Sequence, residues 1–90
     1  MKNFQIESTE QIIRYRNRKL YSKLLRGYVN LDYVLDLFLR NVPMQIFEHI
    51  TNRDVTNHTI FMAIITCADK ETVDAIVNNY KYLIVTNKAA

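Results

Sequence analysis

The hydrophobic pattern changes period near residue 30. Ahead of it, Ile12-Ile13-Arg14-Tyr15-Arg16, Arg18-Lys19-Leu20-Tyr21 and Gly27-Tyr28-Val29 are short runs rich in β-branched and aromatic residues, which suit a pleated, half-buried backbone. The one glycine, Gly27, stands where a turn would close a hairpin. An extended backbone sends successive side chains to opposite faces. That predicts a ribbon with Arg14, Arg16 and Arg18 on one side and Tyr15, Asn17 and Lys19 on the other.

From Asn30 the apolar positions recur at helical spacing. Asn30 suits an N-cap, Asp32 places a negative charge in the first turn, and Leu31, Val34, Leu35 and Phe38 form a stripe. Arg40 and Asn41 end this helix ahead of Pro43. Residues 44–50 alternate as a strand with Met44, Ile46 and Ile50 on one face, closed by the turn-like Thr51-Asn52-Arg53-Asp54. Thr56 is placed to cap a second helix with a stripe of Ile60, Phe61, Ile64, Ile65 and Ala68, and Asp69 to cap a third. That third helix, over residues 71–85, repeats Val73, Ile76, Val77, Tyr80, Leu83 and Ile84 at i, i+3, i+4, i+7 spacing.

The order is therefore ββ(β)αβαα, an α+β fold in a small single domain: an N-terminal β-hairpin or ribbon, a helix, a strand and two C-terminal helices. A chain of 90 residues has surface enough for one modest core and not for two. The expected domain spans residues 9–85, with residues 1–8 and 86–90 frayed.

Charge changes the picture more than composition does. The net charge is only +3, yet residues 11–30 hold Arg14, Arg16, Arg18, Lys19, Lys23 and Arg26 without one Asp or Glu. All the acids lie elsewhere, so the field is one-sided and implies an anionic partner for one part of the surface. No apolar run is long enough to span a bilayer, and residues 1–10 lack an apolar signal core, so the expectation is a cytoplasmic protein without membrane contact.

Candidate chemistry is sparse. His49, His58 and Cys67 match no metal-ligand spacing, so neither a metal nor another cofactor is expected. One glycine cannot make a phosphate-cradling loop, and no nucleophile elbow or carboxylate pair beside a histidine is present, which argues against an enzyme. Cys67 reads as a small buried hydrophobe.

Residues 14–19 are different. Arginine forks onto guanine edges or phosphate, asparagine pairs with adenine, and tyrosine bonds phosphate or stacks on exposed bases. Arg14, Arg16, Asn17, Arg18 and Lys19 supply that set within six residues. The bland alternatives are a solvated cationic face at a sheet edge and a turn role for Asn17. Tyr21 and Tyr28 are assigned to core packing and Tyr15 to contact.

Arg14-Tyr15-Arg16-Asn17-Arg18-Lys19-Leu20-Tyr21, then Tyr28-Val29-Asn30-Leu31-Asp32, then Asp54-Val55-Thr56, resembles the N-terminal DNA-binding domain of the bacterial polyhydroxyalkanoate accumulation regulators. The likeness runs over residues 12–65, and Arg16 stands where that family usually has proline. The resemblance implies a non-enzymatic, sequence-specific DNA-binding transcriptional regulator, a repressor that occludes a promoter as a symmetric oligomer. Its DNA-contacting set would be Arg14, Tyr15, Arg16, Asn17, Arg18, Lys19, Lys23 and Arg26. Its partners would be double-stranded DNA, further copies of itself through Val73, Ile76, Val77, Tyr80, Leu83 and Ile84, and the transcription machinery. The alternative is an interaction module docking an acidic protein on the basic face.

Overall fold

The computed structural model describes the backbone of residues 9–89 and the side chains of residues 9–79. Strands β1 (Glu10–Arg14), β2 (Leu20–Ser22) and β3 (Gly27–Val29) form an antiparallel meander, and α1 (Leu31–Leu39) leads to β4 (Met44–Glu48). β4 lies on the far side of β1 and parallel to it, so the sheet order is β3-β2-β1-β4. Helices α2 (Thr56–Cys67) and α3 (Lys70–Ala89) follow. The α+β class and the element order read from the periodicity are those observed.

Alternation along the strands decides which face is buried. Glu10, Ile12, Leu20, Ser22 and Ile46 point to one face and are shut off from solvent. On that face Ile12, Leu20 and Ile46 pack against Val34, Leu35 and Leu37 of α1 and Ala63 of α2. Asn30 stands at the N-cap of α1 in extended conformation, and its carbonyl accepts from the Tyr33 N–H. Asn41, left-handed at φ 59°, ends the helix as the Val42 N–H returns to the Leu37 carbonyl.

A carboxyl sits inside this frame. Glu10 is 2 % exposed and accepts from the Ser22 hydroxyl, the Tyr33 hydroxyl (2.6 Å) and the Leu24 N–H (3.1 Å). An unpaired buried carboxylate is costly, and three donors from three segments offset that cost while tying β1 to β2, to the following turn and to α1. Burial pushes the Tyr33 phenol above its ordinary value, and the hydrogen bond to Glu10 adds to the shift.

Several local expectations are corrected. Residues 15–19 are a loop and not extended, since the Tyr15 N–H bonds the Lys19 carbonyl (2.8 Å) and the Arg18 N–H the Tyr15 carbonyl (2.9 Å). Gly27 opens β3 with an ordinary φ, and the left-handed residue of the turn before it is Arg26, φ 58°. β4 ends at Glu48, where the Asn52 N–H folds back onto the Glu48 carbonyl, so Ile50 is solvent-exposed. Thr56 does not cap α2. Its hydroxyl accepts from the Ile46 N–H (2.8 Å) along the edge of β4, and its own N–H donates to Asp54 (2.9 Å).

The buried side of α2 is Thr59 and Ala63, flanked by Ile60, Ile64, Cys67 and Ala68, so Phe61 and Ile65 of the expected stripe stand 59 % and 60 % exposed. The helix is apolar nearly all round, which hides the buried face from any reading of spacing. Asp69 does bond the Thr72 N–H at the start of α3 (2.7 Å). No described side chain of α3 joins the core. Val73 and Val77 are exposed and Ile76 half-buried, whereas the side chains of Tyr80, Leu83 and Ile84, like residues 1–8, lie outside the described set. Cys67 packs against the core, and its burial, with a hydrogen bond to Asp32, pushes the thiol up and away from reactivity.

Candidate nucleic-acid interface

The loop joining β1 to β2 gathers most of the predicted contact set. Arg14 pairs with Leu20, Tyr15 closes on Lys19, and Arg16, Asn17 and Arg18 form a three-residue loop between them. Such loops end in a left-handed residue, and here Arg18 holds that place at φ 70°. Asn17 shapes the loop, its Oδ1 accepting from the Lys19 N–H (3.1 Å), while its amide N–H groups stay free to donate outward. Local closure of this kind needs no help from the core, so the side chains of Arg16, Asn17, Arg18 and Lys19 all stand exposed.

None of these cations is neutralised. Among the described residues the ion pairs are Arg40 with Asp36 and Lys70 with Asp74, both within a helix. Lys19 instead lies over the Tyr28 ring, its Nζ 5.4 Å from the centroid. Arg14 is half-buried at the end of β1 and faces, with Arg18, a groove of about 500 Å³ whose opposite wall is His58, Met62 and Thr66 of α2. Tyr15 is half-buried, its ring 4.6 Å from His49 and 6.3 Å from Tyr28.

The structure thus brings six of the eight predicted contact residues together and sets two apart. Lys23 and Arg26 belong to the turn joining β2 to β3, at the other end of the antiparallel pair. Tyr28, assigned to the core, is instead 64 % exposed on the sheet face away from the helices, its ring 5.6 Å from that of Tyr21. Tyr21 is half-buried on the same face, outside the core cluster. One neighbour of the loop was missed by sequence reasoning, His49, whose N–H bonds the Arg14 carbonyl (2.8 Å), and Arg53 lies at the same end of the sheet but beyond β4, its carbonyl accepting from the Glu48 N–H (2.9 Å). Only the parallel pairing of β1 with β4 brings them to this end, and short-range pattern carries no trace of it.

Among the described residues no group of three His, Cys, Asp or Glu is placed to hold a metal ion, and no helix is long and apolar enough to cross a membrane. The arrangement offers guanidinium and ammonium groups on a loop closed by its own hydrogen bonds, amide donors and open aromatic rings, which suit phosphate and base contacts. A family model described as the PHB/PHA accumulation regulator DNA-binding domain matches residues 11–72, a stretch that holds all eight predicted contact residues. No curated protein and no solved structure matches the chain.

Proposed function

The chain belongs to the family of PHB/PHA accumulation regulator DNA-binding domains, and from that premise we propose that it is a sequence-specific repressor reading duplex DNA with the β1–β2 loop. The observation that carries the reading is the loop itself: Arg16, Arg18 and Lys19 exposed without a carboxylate partner, on a backbone closed by its own hydrogen bonds. The closed backbone matters because it fixes where each side chain leaves the loop, so less freedom is lost when a guanidinium meets a base edge or phosphate. Arg14, Tyr15 and Asn17 complete the contact set from the same loop, and Lys23 and Arg26 belong to it only if the duplex reaches the far end of the sheet.

On this reading the domain, residues 9–85, is non-enzymatic and cytoplasmic and occludes a promoter as a symmetric oligomer. Val73, Ile76 and Val77 of α3 support the oligomer, since two of them are exposed and none is used by the described core. Tyr80, Leu83 and Ile84 continue the same spacing in the sequence. A single small module buries little DNA, so paired half-sites supply the affinity that one loop cannot.

Titration of labelled duplex over a salt series tests the proposal. Neutralising three or four phosphates gives a slope of log K on log salt of about −3 per protomer. Salt-independent binding, or none, would rule the loop out as a DNA reader.

A further inference from the structure

The two faces of the sheet differ in kind. The buried core lies wholly on one, while cross-strand register aligns an apolar and aromatic row on the other: Phe47 pairs with Ile13, Ile13 with Tyr21, and Tyr21 with Tyr28. Tyr15 extends the row at the loop end through its contact with Tyr28. The strand positions sharing this face include no carboxylate, because the strand acids Glu10 and Glu48 alternate to the opposite one. Lys19 stands over the Tyr28 ring, with Arg16 and Arg18 beside it on the loop.

We infer that this open face binds single-stranded DNA. Unpaired bases stack on Tyr28 and its neighbours while Lys19, already over the Tyr28 ring, holds a phosphate. A flat sheet with aromatic rings on one face and helices behind the other is a stacking platform, and every base offers a π-face to it. Duplex DNA does not fit this surface, since paired bases present only their edges. A second copy of the chain fits it poorly, because two such faces would meet without a carboxylate on either to offset the cations. The inference rests on membership of a DNA-binding family and not on the duplex contacts proposed for Arg16 and Arg18.

The test uses the full chain with an oligo(dT) of roughly 12 nucleotides, a length within the usual range for one such platform. Binding is followed by anisotropy and by tyrosine emission, which is unobscured because the chain has six tyrosines and no tryptophan. Stacking predicts quenching on binding and an affinity for oligo(dT) roughly tenfold lower in Tyr28→Ala. That variant keeps its circular dichroism and its duplex affinity, and Tyr28→Phe binds as the parent does. Absence of oligo(dT) binding, an unchanged affinity in Tyr28→Ala, equal loss of duplex affinity in that variant, or tighter binding of oligo(rU) would each overturn the inference. If the parent binds oligo(dT) and not duplex, the duplex reading fails and this one stands.

Discussion

The two turns of the β1–β2–β3 meander both expose cations, the second with Leu24 and Leu25 between them, and differ in what holds them. The first, residues 16–18, closes on its own backbone with help from Asn17. The second, residues 23–26, also closes locally, through the Arg26 N–H to the Ser22 carbonyl and the Leu25 N–H to the Ser22 hydroxyl oxygen, but is strapped to β1 as well: the Lys23 N–H to the Gln11 carbonyl and the Leu24 N–H to Glu10. Each holds one arginine left-handed, Arg18 at φ 70° and Arg26 at φ 58°. A loop that closes only locally leaves its cations uncommitted beside His49 and the aromatic face, whereas the strapped turn is a joint of the framework. Charge density along a chain is therefore a poor guide to charge density in space, because a hairpin sends neighbouring cations to opposite ends.

The widest gap between the turns should appear in duplex binding. Arg16→Gln with Arg18→Gln is expected to lower affinity about a hundredfold, at roughly 1–3 kcal/mol per base-contacting arginine. Lys23→Gln with Arg26→Gln should change it by less than about threefold at the same salt. Equal losses would erase the distinction.

Stability should divide the turns the other way. Glu10→Gln replaces an all-acceptor carboxylate by a group with one acceptor oxygen and is expected to cost about 1–3 kcal/mol, against about 0.5–1 kcal/mol for Asn17→Ala, read from urea midpoints. The same network predicts an alkaline limit. Because the folded-state pKa of Tyr33 is raised, first by burial and then by Glu10, its contribution is complete below the ordinary tyrosine value of about 10 and is lost as pH rises through the folded value. The midpoint should therefore fall in alkali, and Tyr33→Phe should flatten that fall.

The smallest effects are in the backbone. Arg18→Gly and Arg26→Gly each relieve a left-handed residue at the cost of added unfolded-state freedom, a net gain of at most about 1 kcal/mol. Only Arg18→Gly should also weaken duplex binding. Gly27→Ala should be tolerated, since φ there is ordinary and an added Cβ meets nothing nearer than the Leu25 carbonyl at 4.0 Å.

What the sequence revealed follows the range of the interactions concerned. The helix limits at Asn41 and Asp69 were legible because capping acts within one turn of chain, whereas Asn30 marks the start of α1 by its extended backbone, with no side-chain cap bond. The cationic loop was legible as composition but not as a loop, since Arg18 takes a conformation that its residue type rarely announces. Glu10 was passed over because nothing local distinguishes a buried carboxyl from a solvated one until Ser22, Leu24 and Tyr33 converge on it. The exposure of Tyr28 was likewise hidden, because a three-residue strand cannot say which of its faces meets the helices.

The parallel contact between β1 and β4 also sets an order of events during synthesis. Gln11 and Gln45, bonded across that contact, are 34 residues apart, so β1 can pair with β2 well before its second partner has been made. Until then one edge of the future central strand stands open, a template for any extended segment nearby. The hairpin is thus complete early and the sheet late. A chain of which only about the first forty residues have emerged from the ribosome would hold its cationic loop formed and that edge still bare.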